Sequence, residues 1–212
     1  MSTTTTTPVE IHAVPEALQR DGVKARSAAE GASRSGIWVA MFAITMSFAA
    51  LTSALFVREG SAGDWQRIAL PPILYANTLA LLASSLTLSR ARHAVNARSF
   101  MNSRTLQTAM VWLVATFALG LLFIAGQYQA WRQLAAHGLF LSTNPNSSFF
   151  YVFTGVHILH LAGGLAALVY LIGQLAGSHS AFRRVAFDNT AVYWHFMSVL
   201  WLYLLLVMRA KI

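Results

Sequence analysis

Charged side chains divide the chain into five stretches that carry no Asp, Glu, Lys or Arg: 35–57, 68–89, 105–131, 133–182 and 189–208. A helix needs about 20 mostly apolar residues to cross the hydrocarbon of a bilayer. Four of the stretches fit one crossing each. The stretch 133–182 is longer, but its opening, QLAAHGLFLSTNPNSS, is polar and broken at Pro145, which leaves one helix for the remainder. The pattern therefore predicts an all-α polytopic membrane protein with five transmembrane helices, over about 36–57, 68–89, 107–130, 149–174 and 189–208. Residues 1–34, rich in Thr and Ala and punctuated by Pro8, Pro15 and Gly22, read as a mostly disordered cytoplasmic tail with room for a short surface helix, and residues 35–212 as the bundle.

Composition agrees with the pattern. Hydrophobic residues make up 56% of the chain and charged ones 10%, against roughly a quarter charged in soluble proteins. The formal net charge of +8 would suit nucleic acid, but the cations flank the apolar stretches, where they anchor at lipid headgroups, so no nucleic-acid partner is expected. With the N-terminus inside, the inner segments hold Arg20, Lys24, Arg26, Arg34, Arg90, Arg92, Arg98, Arg104, Arg183 and Arg184. The outer segments hold only Arg58, Arg67, Arg132, Arg209 and Lys211. This imbalance predicts an N-in, C-out orientation. The absence of cysteine excludes disulfides, thiolate metal centres, iron–sulfur clusters and covalent haem attachment in this chain. The N-terminus lacks the apolar core of a signal peptide, and Glu10, Glu16, Asp21 and Glu30 argue against an organelle address. A bacterial plasma membrane is the expected location, with the mitochondrial inner membrane as the alternative.

Polar residues within the stretches locate the faces that turn inward. In the first, Thr45, Ala49 and Thr52 form a small, weakly polar stripe suited to close helix packing. In the second, Asn77 and Ser84 share one line and Thr78 and Ser85 an adjacent one; Asn77 in particular needs an interhelical partner. Pro71 and Pro72 lie near the start of that helix, where a missing N–H costs least. The third contains Gly120 and Gly126 and ends with Gln127 and with Trp131, a residue suited to the outer membrane interface. The last two carry histidines, which are functional suspects in a bilayer. His157 and His160 lie about 60° apart on one helix, with Gly164 between them a turn later. His195 and Ser198 share a face of the final helix.

Three imidazoles have the ligand count for zinc, but no span supplies a carboxylate as general base. Two histidines on different helices have the chemistry to clamp one haem, which keeps a stand-alone b-type cytochrome or a small transporter open. A proton relay made by this chain alone is disfavoured, because Glu59, Asp64 and Asp188 sit only at the edges of the spans. The remaining reading is that neutral histidines hydrogen-bond inside the bundle, His157, His160 and His195 joining the fourth helix to the fifth.

Two motifs add a resemblance. SSFFYVFTGVHILHLAGGLAALVYLI followed by AVYWHFMSVLWLYLLLV resembles subunit III of the haem–copper terminal oxidases, the cytochrome c oxidase family. Its F-F-x-x-T-G-x-H-x-x-H-x-x-x-G pattern is matched by Phe149, Phe150, Thr154, Gly155, His157, His160 and Gly164. Its Y-W-H-F-x-D-x-x-W-L pattern is matched by Tyr193, Trp194, His195, Phe196, Trp201 and Leu202. The likeness runs more weakly back to Gly36, and it corresponds to a seven-helix subunit III without its first two helices. It implies a non-catalytic subunit that packs on the catalytic subunit I beside subunit II, supports assembly and stability, and binds phospholipid. It also implies that this chain holds no cofactor, with haem and copper in the partner subunits. Thr154, Gly155, His157, His160, Gly164, Tyr193, Trp194, His195, Phe196 and Trp201 are then candidates for packing and for the lipid cleft. Quinol oxidases and some nitric oxide reductases have an equivalent subunit, so the donor and the substrate of the complex stay open.

The sequence departs from the family at three acids. Ser-Glu in the first shared helix is Ala43-Ile44, the Glu of Gln-x-x-Glu-Trp is Ala130 beside Gln127 and Trp131, and the Asp of the last motif is Ser198. These replacements weaken any role in proton conduction and leave a packing role intact.

Overall fold

The computed structural model describes residues 16–61, 63, 68, 70–96, 103–141, 144–177 and 184–212, and these form five helices. They are α1 (Glu16–Ser61), α2 (Ile73–Asn96), α3 (Ser103–Ala136), α4 (Pro145–Ala176) and α5 (Arg184–Lys211). Four contain segments long and apolar enough to cross a membrane: Gly31–Ser61, Leu106–Ala136, Pro145–Ala176 and Val185–Lys211. By length and composition α2 is not among them. Its sequence mixes leucines with Asn77, Thr78, Ser84, Ser85, Thr87 and Ser89 and ends in a basic turn.

The helices outrun their apolar stretches because helix propagation is cheap once a nucleus exists. This effect is largest at the N-terminus. Residues 16–34, expected in a disordered tail, are helical and continuous with α1; residues 1–15 lie outside the described residues. The segment EALQRDGVKARSAAEG is rich in good helix formers, and the membrane-spanning turns that follow supply its nucleus. The start of α2 moves the other way. Pro71 and Pro72 precede its first residue and form the turn into it, their carbonyls accepting from Leu74 and Tyr75 N–H at 3.1 Å.

Local chemistry sets the other ends. Pro145, expected as a break, opens α4: Asn144 caps the helix by accepting from Asn146 N–H at 3.0 Å, and proline at the first helical position forfeits no hydrogen bond. Gly138 closes α3 with φ +76°, a conformation that favours glycine. There Leu139 N–H returns to Leu134 O and Gly138 N–H to Ala135 O, so these two carbonyls of the last turn are satisfied.

Helix α5 is central. It packs against α1, α2 and α4, while α2 lies along α3 and α3 against α4. Half of the α5 span is buried, against 28–33% of the other three. Helix α1 is peripheral, burying the line Met41, Ile44, Phe48, Thr52 and Leu55 and leaving Trp38, Val39, Phe42 and Met46 exposed. The expected Thr45–Ala49–Thr52 stripe is thus buried only at Thr52.

Helices α2 and α3 approach tightly at Gly126, where an added Cβ would lie 1.9 Å from Asn77 Oδ1. Asn77 is buried, so its amide has little room to move aside. Gly126→Ala is therefore expected to push α2 off α3, at a cost of about 1–3 kcal/mol. A lowered melting temperature in mild detergent, with helical content retained, is the expected readout; Gly173→Ala, which meets nothing within 4 Å, is the neutral control.

Candidate functional site

The two motifs of the last two helices supply residues to one seam. Trp194 and Trp201 lie two turns apart on the same face of α5, and both are fully buried. Trp194 Nε1–H donates to Ser84 Oγ at 2.9 Å, and Trp201 Nε1–H donates to Thr78 Oγ1 at 3.0 Å. Each acceptor hydroxyl gives its own proton to its helix backbone, Ser84 to Leu81 O at 2.6 Å and Thr78 to Leu74 O at 2.8 Å. A hydroxyl has one proton and two lone pairs. Bonding back along its own helix leaves it a pure acceptor toward the neighbouring helix, which suits a donor-only indole.

The same arrangement recurs elsewhere. Thr154 on α4 donates to Phe150 O at 2.7 Å and accepts from Trp131 Nε1 of α3 at 2.9 Å. Thr52 on α1 donates to Phe48 O at 2.8 Å and accepts from Tyr203 OH of α5 at 3.0 Å. A second antiparallel line joins α2 to α5 beside the tryptophans. Ser85 and Ser198 hydroxyls are 2.7 Å apart, Ser89 Oγ and His195 Nε2 are 3.3 Å apart, and Arg92 pairs with Asp188 at 2.9 Å. Ser89 gives its proton to Ser85 O at 3.0 Å, so the imidazole of His195 is the donor in that pair.

Glycines make room for the indoles. A Cβ on Gly120 would meet Trp194 and Leu165 at 2.9 Å, and one on Gly164 would meet Trp194 at 3.1 Å. Trp194 therefore wedges between α3 and α4 while bonding to α2. Tyr193 beside it donates its hydroxyl proton to the backbone O of His160 at 2.8 Å. Gly155 faces Trp131 at 4.0 Å, and Phe196 lines a groove of about 220 Å³ between α1 and α5 with Thr45, Phe48, Ala49 and Tyr203. A further groove of about 260 Å³ runs along Ile37, Gly163, Ala167, Thr190 and Tyr193.

The histidines do not act as a set. The expectation that all three bond between the fourth and fifth helices is corrected. His160 Nδ1–H donates to Val156 O of its own helix at 2.7 Å, and its ring lies 6.0 Å from that of Phe48 on α1. His195 reaches α2, as above. His157 is fully buried between Phe123, edge-on at 5.8 Å, and Trp201 at 5.2 Å, and neither ring nitrogen has a protein partner among the described residues. Among the described residues no three His, Asp or Glu side chains are grouped as metal ligands.

Several participants escaped the sequence reading. The indole of Trp131 donates across to Thr154, and Phe123 packs against both His157 and Trp201, its ring 4.8 Å from that of Trp201. Ser84 and Thr78 were visible as polar positions but their indole partners were not. The three positions that lack the expected acids are all interior: Ile44 is 7% exposed, Ala130 0% and Ser198 4%.

The family model described as cytochrome c oxidase subunit III matches residues 35–210. A probable cytochrome c oxidase subunit 3 of Mycobacterium tuberculosis (strain ATCC 25618 / H37Rv) is 32% identical over 171 residues, covering 76% of this chain and 79% of the relative. Its counterpart from Mycobacterium leprae is 30% identical over the same shares of the two chains. A cytochrome c oxidase subunit 3 of Alkalihalophilus pseudofirmus is 27% identical over 189 residues, covering 86% of this chain and 88% of the relative.

The indole bonds predict a measurable coupling. A double-mutant cycle of Thr78→Ala and Trp201→Phe, read by SDS-induced unfolding, is expected to give an interaction energy of about 1 kcal/mol. Additive single-mutant effects would contradict the bond.

Proposed function

The chain belongs to the cytochrome c oxidase subunit III family, and on that premise we propose that it serves its oxidase without an active site of its own. In this reading it packs on the catalytic subunit I, beside subunit II, and supports the assembly and stability of the complex. The observation that carries the proposal is the use of the motif side chains. Thr154, Tyr193, Trp194, His195 and Trp201 all form hydrogen bonds between helices within this chain. A structural role explains that use, whereas catalysis would require groups free to face a substrate. The interior positions of Ile44, Ala130 and Ser198 support the same view, because the carboxylates a proton path would employ are replaced by apolar groups and a bonded hydroxyl.

All five helices cross the membrane in this proposal, α2 included. Its hydroxyls are matched by α5 and by Thr116 of α3, which bonds Thr87 at 2.8 Å, so its polarity is compatible with hydrocarbon. The excess of basic residues near the α1 start, the α2–α3 connection and the α4–α5 connection supports N-in, C-out, in a bacterial plasma membrane. Haem and copper belong to the partner subunits. The largely apolar grooves beside Phe196 and Tyr193 suit phospholipid acyl chains. The names of the relatives favour cytochrome c as electron donor over quinol, and oxygen over nitric oxide as the substrate of the complex.

Purification of the tagged chain from its native membrane in mild detergent tests this. Haem bands in the reduced-minus-oxidised spectrum are expected, together with a larger polytopic chain and a copper-binding subunit. Recovery of the chain alone without haem would contradict the assembly role. Haem bound to the chain alone would make the histidines ligands and overturn the proposal.

A further inference from the structure

Three polar side chains from three helices are closed into the bundle without a full set of partners. Asn77 of α2 is 4% exposed, and Gln127 of α3 and His157 of α4 are 0% exposed. Among the described residues, Asn77 Nδ2, both side-chain heteroatoms of Gln127 and both ring nitrogens of His157 lack a hydrogen-bond partner. They lie at one level. Asn77 rests against Gly126, next to Gln127. On α3, Phe123 one turn before Gln127 meets His157, and Trp131 one turn after it bonds Thr154, three residues before His157. Gln127 therefore stands between two contacts that tie its face of α3 to α4. Trp201 closes the group, its ring tilted against His157 at 5.2 Å and its indole bonded to Thr78 beside Asn77.

Direct pairing cannot complete this set. A neutral imidazole has one donor and one acceptor nitrogen, pointing apart around the ring. One amide can reach one of them, and Asn77 can offer its N–H to Gln127, yet a ring nitrogen is left among aromatic carbons. Burying such a group unpaired is costly, most of all where no bilayer water can reach it. A small molecule that both donates and accepts resolves the imbalance, and buried water commonly fills that role by making about three bonds to otherwise unpaired groups. We propose that Asn77, Gln127 and His157 form an internal binding site for ordered water, bridging α2, α3 and α4. The site depends on the fold of this chain alone and is independent of its place in an oxidase.

Water-edited solid-state NMR of the full chain in lipid bilayers, with ¹⁵N-labelled histidine and tryptophan, tests the site. The His157 resonances are assigned by their loss in His157→Phe. Fast transfer of water magnetisation to the His157 ring is expected, comparable to that at the exposed His137 and well ahead of the Trp194 indole. The transfer should be lost in Gln127→Leu, whose retained helical content is checked by circular dichroism. Transfer to wild-type His157 as slow as that to Trp194 would overturn the proposal, since the polar atoms would then pair only with one another. Fast transfer untouched by Gln127→Leu would overturn it equally, because the water would then reach His157 by another route.

Discussion

A hydroxyl that gives its proton to its own helix and its lone pair to the next helix is the interaction on which this bundle depends. In hydrocarbon an indole N–H has no solvent to fall back on, and apolar side chains gain nothing by leaving lipid for protein. Ser84, Thr78, Thr154 and Thr52 each solve both problems in the same way. Three of these four contacts involve α5, and two of them join it to α2, the helix outside the four apolar spans. The polarity that sets α2 apart from the other helices by composition is the polarity that α5 requires.

Size complements this chemistry. Trp194 reaches Ser84 only because Gly120 and Gly164 leave space for its ring, and α2 approaches α3 only because Gly126 leaves space for Asn77. The charged pairs belong to the rims: Arg92 with Asp188 at one end, and Lys211 with Glu59 at 2.8 Å at the other. They are partly exposed, so they fix the register of α5 more than they add to its stability. The exposed aromatic and aliphatic side chains of α1 leave its outer face apolar, as a helix at the edge of a membrane bundle requires.

The spacing of charges made the helices legible, and the two motifs drew attention to the residues that form the seam. What the sequence did not reveal was pairing. Ser84 and Trp194 are 110 residues apart, and nothing local distinguishes a serine that accepts an indole from one that merely bonds its own backbone. The partner of Trp131 was hidden for a related reason: a tryptophan near the end of an apolar stretch suits the interface, and only the position of α4 brings Thr154 to its indole. The histidines promised a shared role by their spacing, but once the helices are placed His160 bonds its own helix, His195 reaches α2, and neither ring nitrogen of His157 has a direct partner among the described residues. The helical start at Glu16 was hidden because the Thr-rich beginning colours the composition of the whole segment.

The antiparallel register of α2 on α5 is the central claim, and the absence of natural cysteine allows a direct test of it. Ser85 and Ser198 hydroxyls lie 2.7 Å apart, so cysteines placed there would be within disulfide reach. The double variant Ser85→Cys/Ser198→Cys, oxidised in native membranes, is predicted to form an intramolecular disulfide, seen as a gel shift of the monomer that reductant reverses. Free thiols after oxidation, or cross-links only between molecules, would contradict the seam.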